Sequence, residues 1–320
     1  MWVLRMGDFD GGRGSFANNT RLLKDLARIL VYLAAVILLG AFLAPPLYWL
    51  GQAVAARGVM TFLAETEFQK FFNRAVLIAA ILLIWPMTRW LQIGGWRELG
   101  LDPDPRWWQR FFAGFAIAGF IVATMAAFYV GFDVYHWKKM LPWTAVPGVL
   151  FSSICVGFLE EALFRGAIFG LFRRSLPPLM ALFCVTFIFA AVHFLKPLDS
   201  FTVPQVTWLS GFTLLPHLFH QFGEPMTLLA GFTTIFTLGW VVGAATLRTR
   251  SLWLGIGFHA GLVFVKMSFS KFTKRDAEYL PWVGEKLEIG LVPVAALALC
   301  GVLVWLWLKY VDRPDIPSRA

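Results

Sequence analysis

Eight apolar runs of about bilayer-spanning length follow one another along this chain, and they constrain its fold more than any other feature. They are Ala27–Leu50, Ala75–Leu91, Phe112–Gly131, Trp143–Phe164, Pro178–Leu195, Met226–Leu247, Leu252–Met267 and Ile289–Leu308. A hydrocarbon core about 30 Å thick takes about 20 residues in helix. The expected fold class is therefore all-α, a polytopic transmembrane helix bundle of about eight spans. Composition agrees, since 58% of residues are hydrophobic and only 15% charged, with a mean hydropathy of +0.68. Soluble domains carry about 25% charge. Prolines in the first two runs, Pro45–Pro46 and Pro86, predict kinks or early helix ends. The stretch from Lys196 to Pro225 is apolar but broken by Pro204, Gly211 and Pro216, and reads as an interfacial or re-entrant segment rather than a further span.

The net charge of +9 sits in short segments between the runs. That placement suits lipid headgroups and membrane topology, and it argues against a nucleic-acid partner. The two tightest loops, around Arg173–Arg174 and Arg248–Arg250, are purely basic. With Arg5, Arg13, Arg21, Lys24 and Arg28 before and at the start of the first run, they favour a multi-pass protein with both termini in the cytoplasm. No cleavable signal peptide is evident, so the first run is expected to stay as an anchor. Cys155, Cys184 and Cys300 lie singly within apolar runs and indicate neither disulfides nor a zinc ribbon. The chain divides into an amino-terminal region, 1–110, with two spans and an interfacial connector that carries Trp96, Trp107 and Trp108. A core of helices follows over 111–270, and 271–320 form a last span and tail.

Three ionisable residues interrupt the fourth run. Glu160 and Glu161 are adjacent there and Arg165 follows, although each such group near the bilayer centre costs about 2.5–3.5 kcal/mol on insertion scales. Glu161 and Arg165 are four apart on one helical face and can pair. Glu160 is then a carboxylate with no evident partner in its own helix, which makes it a candidate general base. His193 lies in the fifth run and His259 in the seventh. At 1.5 Å per residue, Glu160 is about 20 Å from Arg173, His193 about 22 Å from Pro178 and His259 about 14 Å from Arg250, all measured from one membrane face. The three can therefore meet in one layer. Small-xxx-small pairs at Gly166/Gly170, Gly239/Gly243 and Gly257/Gly261 predict close approach of the fourth, sixth and seventh spans.

Each feature alone has a plainer reading. A single intramembrane histidine is often a hydrogen-bonded packing residue, and Glu161–Arg165 alone could be a structural ion pair. His217 and His220 have the spacing of a metal pair but lie in the interfacial segment, and His136 reads as solvent-facing. The conjunction of two glutamates with two histidines at matched depth favours chemistry.

The motifs themselves are EEALFR (Glu160 to Arg165), FAAVH (Phe189 to His193) and His259 after SLWLGIGF. In that order, on separate spans, they resemble the CAAX prenyl endopeptidase and bacteriocin-processing family of intramembrane proteases. The resemblance covers roughly Trp143 to Phe269. It implies that Glu160 activates a water, that His193 and His259 hold it or stabilise the oxyanion, and that Glu161 and Arg165, supported by Phe189, lock the helix. A zinc site with Glu160, His193 and His259 as ligands is the other reading of the same groups. Substrates implied are membrane-proximal proteins or peptides, lipidated ones among them, and membrane lipids are the surrounding partners. One departure stands out. The family places Asn or Asp four residues after its third-motif histidine, and this chain has Val263, with Ser268 and Lys266 as nearby polar substitutes. Two rival readings follow, a catalytically impaired member acting as a membrane scaffold, and a transporter using Glu and His as a proton relay. The transporter reading calls for inverted symmetry between halves, and none is visible.

Overall fold

The computed structural model describes residues 13–90, 104–197, 203–276, 279–284 and 286–312. Seven helices among them are long and apolar enough to cross a membrane. These are α1 (Arg13–Ala56), α2 (Phe68–Trp90), α3 (Trp107–Gly131), the continuous Trp143–Arg173 rod, α8 (Pro225–Thr249), α9 (Trp253–Phe272) and α10 (Leu291–Tyr310). The rod comprises α4 (Val146–Glu161), a π-helix (Ala162–Ile168) and α5 (Phe169–Arg173). The remaining apolar run becomes α6 (Pro178–Val192), which has 15 residues. At about 22 Å it falls short of a bilayer core. The eight runs of the sequence are thus eight apolar helices, one of them truncated.

Neither α1 nor α2 ends at its prolines: α1 continues past Pro45–Pro46 to Ala56, and α2 past Pro86 to Trp90. A proline removes one backbone bond, whereas a helix end in lipid would strand several polar groups.

Helix α9 is the hub of the bundle, flanked by α3 and α4, with α8 against it and α10 closing from α8 back to α3. Glycine makes this closeness feasible. A β-carbon at Gly257 or Gly261 would collide with the backbone carbonyls of Phe111 and Phe115 on α3, and one at Gly114 would collide with the Leu254 carbonyl. The seventh-span pair therefore serves α3, a different neighbour from the one expected. The α4–α9 approach rests instead on Gly157, where an added β-carbon would lie 3.0 Å from the Ile256 oxygen and the Ala260 nitrogen. Small residues admit whichever backbone is near, so their spacing names a contact face but not its partner.

An ion-pair clamp closes the end of the bundle where α8 turns into α9. Arg110 on α3 reaches Asp312 (Nε–Oδ2 2.9 Å) beyond α10 and Asp104 (Nη1–Oδ2 2.6 Å) before α3. Arg106 also reaches Asp312 at 3.1 Å, and the Ser251 hydroxyl donates to Asp104 at 3.2 Å. At the other end β1 (Tyr135–Trp137) pairs antiparallel with β2 (Thr273–Arg275), a small ribbon without a sequence signal. His136 on this ribbon is exposed and pairs with Asp276.

Of the Lys196–Pro225 stretch, residues 198–202 lie outside the described residues. The rest holds one short helix, α7 (Ser210–Thr213), and a 3-10 stretch (Leu215–Gly223), neither able to span. Leu214 and Leu218 bury against Ala41, Ala44, Phe68 and Phe72, and Leu209 and Phe219 stay exposed, so this is an amphipathic segment lying on α1 and α2. Trp107 and Trp108 open α3 and are exposed, while Trp96 lies outside the described residues.

Candidate active site

Glu160 and Glu161 end the regular part of α4. The next seven residues wind as a π-helix, whose wider turn shifts the face presented by everything after it. Arg165 lies inside this wide turn. Its Nη1 donates to Glu161 Oε1 at 2.9 Å, and both side chains are fully enclosed. The guanidinium carbon also stands 4.1 Å above the Phe189 ring, a cation–π contact that partly replaces lost hydration. Glycines leave room for the pair. A β-carbon on Gly239 of α8 would lie 3.0 Å from Arg165 Nη2, and one on Gly255 of α9 would lie 3.4 Å from Glu161 Oε2.

His193 sits at the point where α6 stops. Its backbone N–H turns to the Ala190 carbonyl at 3.3 Å, which leaves the Phe189 carbonyl without its helical donor. The imidazole supplies one, with Nδ1 2.7 Å from that oxygen. A carbonyl only accepts, so Nδ1 carries the proton and Nε2 is left to face the interior. The ring also packs on Phe189, centroids 4.5 Å apart. Phe189 is thereby the shared floor beneath Arg165, His193 and, edge-on at 6.1 Å, His259.

His259 enters from α9, nearly enclosed. Its Nδ1 lies 2.9 Å from Glu161 Oε1, the oxygen that also receives Arg165. An ionised Glu161 fixes the tautomer as the carbonyl fixes it for His193. Both rings then aim Nε2 at one place. Glu160 Oε2 is 3.5 Å from Nε2 of His193 and 3.7 Å from Nε2 of His259. That oxygen is buried and has no hydrogen-bond partner. The side chains of Glu160 and His193 are each 23% exposed against 4% for His259, so the cluster is approached from the Glu160–His193 side. There α6 touches the rod at α5 and the π turn and diverges from α4 beyond.

Glu160, His193 and His259 thus converge, with Glu161, Arg165 and Phe189 behind them. Among the described residues no group of three or more His, Cys, Asp or Glu side chains is arranged to hold a metal ion. Of the residues in the zinc reading, Glu160 Oε2 stands 3.5 and 3.7 Å from the Nε2 atoms of His193 and His259, while Glu161 Oε1 is engaged by Arg165 and His259. His217 and His220 lie in the 3-10 stretch, where His220 Nδ1 is 3.0 Å from the His217 carbonyl oxygen. Val263 presents only an isopropyl group one turn beyond His259. Lys266 forms an ion pair with Glu288 at 2.6 Å, and Ser268 lines an apolar cavity of about 310 Å³ with Trp137 and Trp143. A second apolar cavity, about 570 Å³, runs between α3 and α10 past Phe128, Phe132 and Tyr279. Neither cavity is lined by the Glu160 cluster.

No curated protein matches the chain. Residues 142–265 match the family model described as type II CAAX prenyl endopeptidase Rce1-like. That range contains all three motifs and every residue of the cluster. Through these central helices the chain carries a domain similar to the Rce1-like, type II CAAX prenyl endopeptidase family.

Proposed function

We propose that the protein is an intramembrane endopeptidase, with Glu160 as the base that activates water and His193 and His259 as its partners. The observation that carries this reading is the convergence of two tautomer-fixed Nε2 atoms on a buried oxygen of Glu160 that has no hydrogen-bond partner. A water lying among the three can give a proton to Glu160 while its oxygen attacks the scissile carbonyl carbon. Charge balance supports the second half of the step. Glu160 and Glu161 carry two negative charges and Arg165 one positive, so one further proton, shared by Glu160 and the imidazoles, neutralises the layer. A proton held on an imidazole Nε2 donates to the developing oxyanion. The proton taken by Glu160 then passes to the leaving amine, and peptide plus water become a carboxylic acid and an amine.

Substrates of this reading are membrane-proximal or lipidated protein tails that enter where α4 and α6 diverge. Both termini are placed in the cytoplasm on the charge of the short loops. The test is incubation of the full chain in lipid vesicles with an S-farnesyl peptide, with products identified by mass spectrometry. A single new carboxy terminus made by the wild-type chain and not by His193→Ala is expected. No cleavage by either, with both folded, overturns the reading in favour of a scaffold.

A further inference from the structure

Two turns along α9 from His259, Lys266 holds the Glu288 carboxylate at 2.6 Å. Glu288 lies just before α10, and with Lys266, Leu262, Leu287 and Pro293 it lines a cavity of about 30 Å³. Lys196, three residues past His193, is exposed, and its ammonium interacts electrostatically with Lys266, Glu288, Lys286 and Glu160. No ion pair holds Lys196 among the described residues. Lys266 therefore contacts the Glu288 carboxylate directly, and Lys196 lies within electrostatic range of both. Burial opposes charge on Glu288, yet the adjacent Lys266 ammonium and the hydrogen bond between them hold its carboxyl below the ordinary glutamate range. The place is built for a carboxylate, and a side chain of the protein itself sits in it.

We infer that Lys266, with Lys196 beside it, is the receptor for the free carboxy terminus of the peptide substrate, and that Glu288 is an internal stand-in which the substrate displaces. This assignment rests on the peptidase reading of the Glu160 cluster. The spacing fits. Seven residues on α9 separate Lys266 from His259, about 10.5 Å of helix rise. Three extended residues reach about 10–11 Å, the length of tail that follows the cysteine in a C-a-a-X terminus. A carboxylate anchored at Lys266 would lay the bond after that cysteine against Glu160. One ammonium–carboxylate exchange costs less than burying a new charge, because the cation is already in place and already neutralised.

The test is binding, read by fluorescence anisotropy on the full chain in micelles, of one labelled S-farnesyl C-a-a-X peptide made as free acid and as carboxamide. The wild type is expected to prefer the acid by about tenfold, the worth of a charge-assisted hydrogen bond. Lys266→Met should erase that preference and Lys266→Arg should retain it. Glu288→Gln should increase it, because the competing carboxylate is gone. A purely structural ion pair predicts that Lys266→Met and Glu288→Gln act in the same direction. That result, equal binding of acid and amide, or no binding to the wild type, would overturn the inference. Preferential binding of the acid without cleavage would leave the receptor standing and overturn the peptidase reading instead.

Discussion

Glu161 Oε1 accepts from two sides at once, from Arg165 Nη1 at 2.9 Å and from His259 Nδ1 at 2.9 Å. One oxygen thereby ties the π turn to α9 and fixes which nitrogen of His259 faces Glu160. The two glutamates of the motif differ in task because they differ in partners: Glu161 is saturated on one oxygen and enclosed, Glu160 is unpartnered on the oxygen that faces the imidazoles.

Glu161→Gln keeps an oxygen for His259 but strips Arg165 of its counter-charge. Leaving a buried charge unpaired costs about 3–5 kcal/mol. The expected result is a lower Tm in detergent and poor accumulation. The double variant Glu161→Gln/Arg165→Met should recover the Tm and stay inactive, since the orienting carboxylate is still missing. A single variant with wild-type Tm would show that the pair is not a stability element.

Val263→Asn places an amide one helical turn from His259, on the face the catalytic groups share. Activity should rise by about tenfold, below the 10²–10³ worth of a fully formed oxyanion donor. The check is kcat on one peptide substrate. An unchanged kcat would mean that another group already stabilises the oxyanion.

Chelation supplies a third check. The proposed step uses only side chains and water, so cleavage after treatment with a strong chelator should match the untreated rate. Loss of cleavage that returns on adding zinc would contradict the metal-free step.

The legible part of this molecule was the part written in solvent preference. Runs of apolar residues locate eight helices because lipid leaves a backbone few other choices, and Glu160, Glu161, Arg165, His193 and His259 were visible because charge in lipid needs a reason. Partnership was less legible. Glu161 could be paired with Arg165 from a four-residue spacing, but its bond to His259 spans 98 positions and leaves no local mark. Gly257 and Gly261 announced a close contact without saying that α3 would fill it. The π turn after Glu161 has no residue signature, because it is the tertiary packing of Arg165 against Phe189 and Gly239 that accompanies the wider winding.

Arg110 illustrates the same limit. In the sequence it is one of several basic residues beside a span, and in the fold it joins the start of α3 to the end of α10 through Asp104 and Asp312. Arg110→Ala leaves two largely buried carboxylates dependent on Arg106 and Ser251, with an expected loss of about 3–5 kcal/mol in thermal unfolding and little change in kcat of the folded fraction. Equal losses in Tm and kcat would place the clamp within the catalytic mechanism.

Glu160, not its neighbour, is assigned to activate the water, and kcat of Glu160→Gln measured alongside its Tm in the same micelles decides this. The prediction is a loss of at least about 10³-fold, of the order that removing a general base produces, with the Tm unchanged because Glu160 Oε2 has no hydrogen bond to lose. Wild-type cleavage by the folded variant would show that Glu160 is not the base.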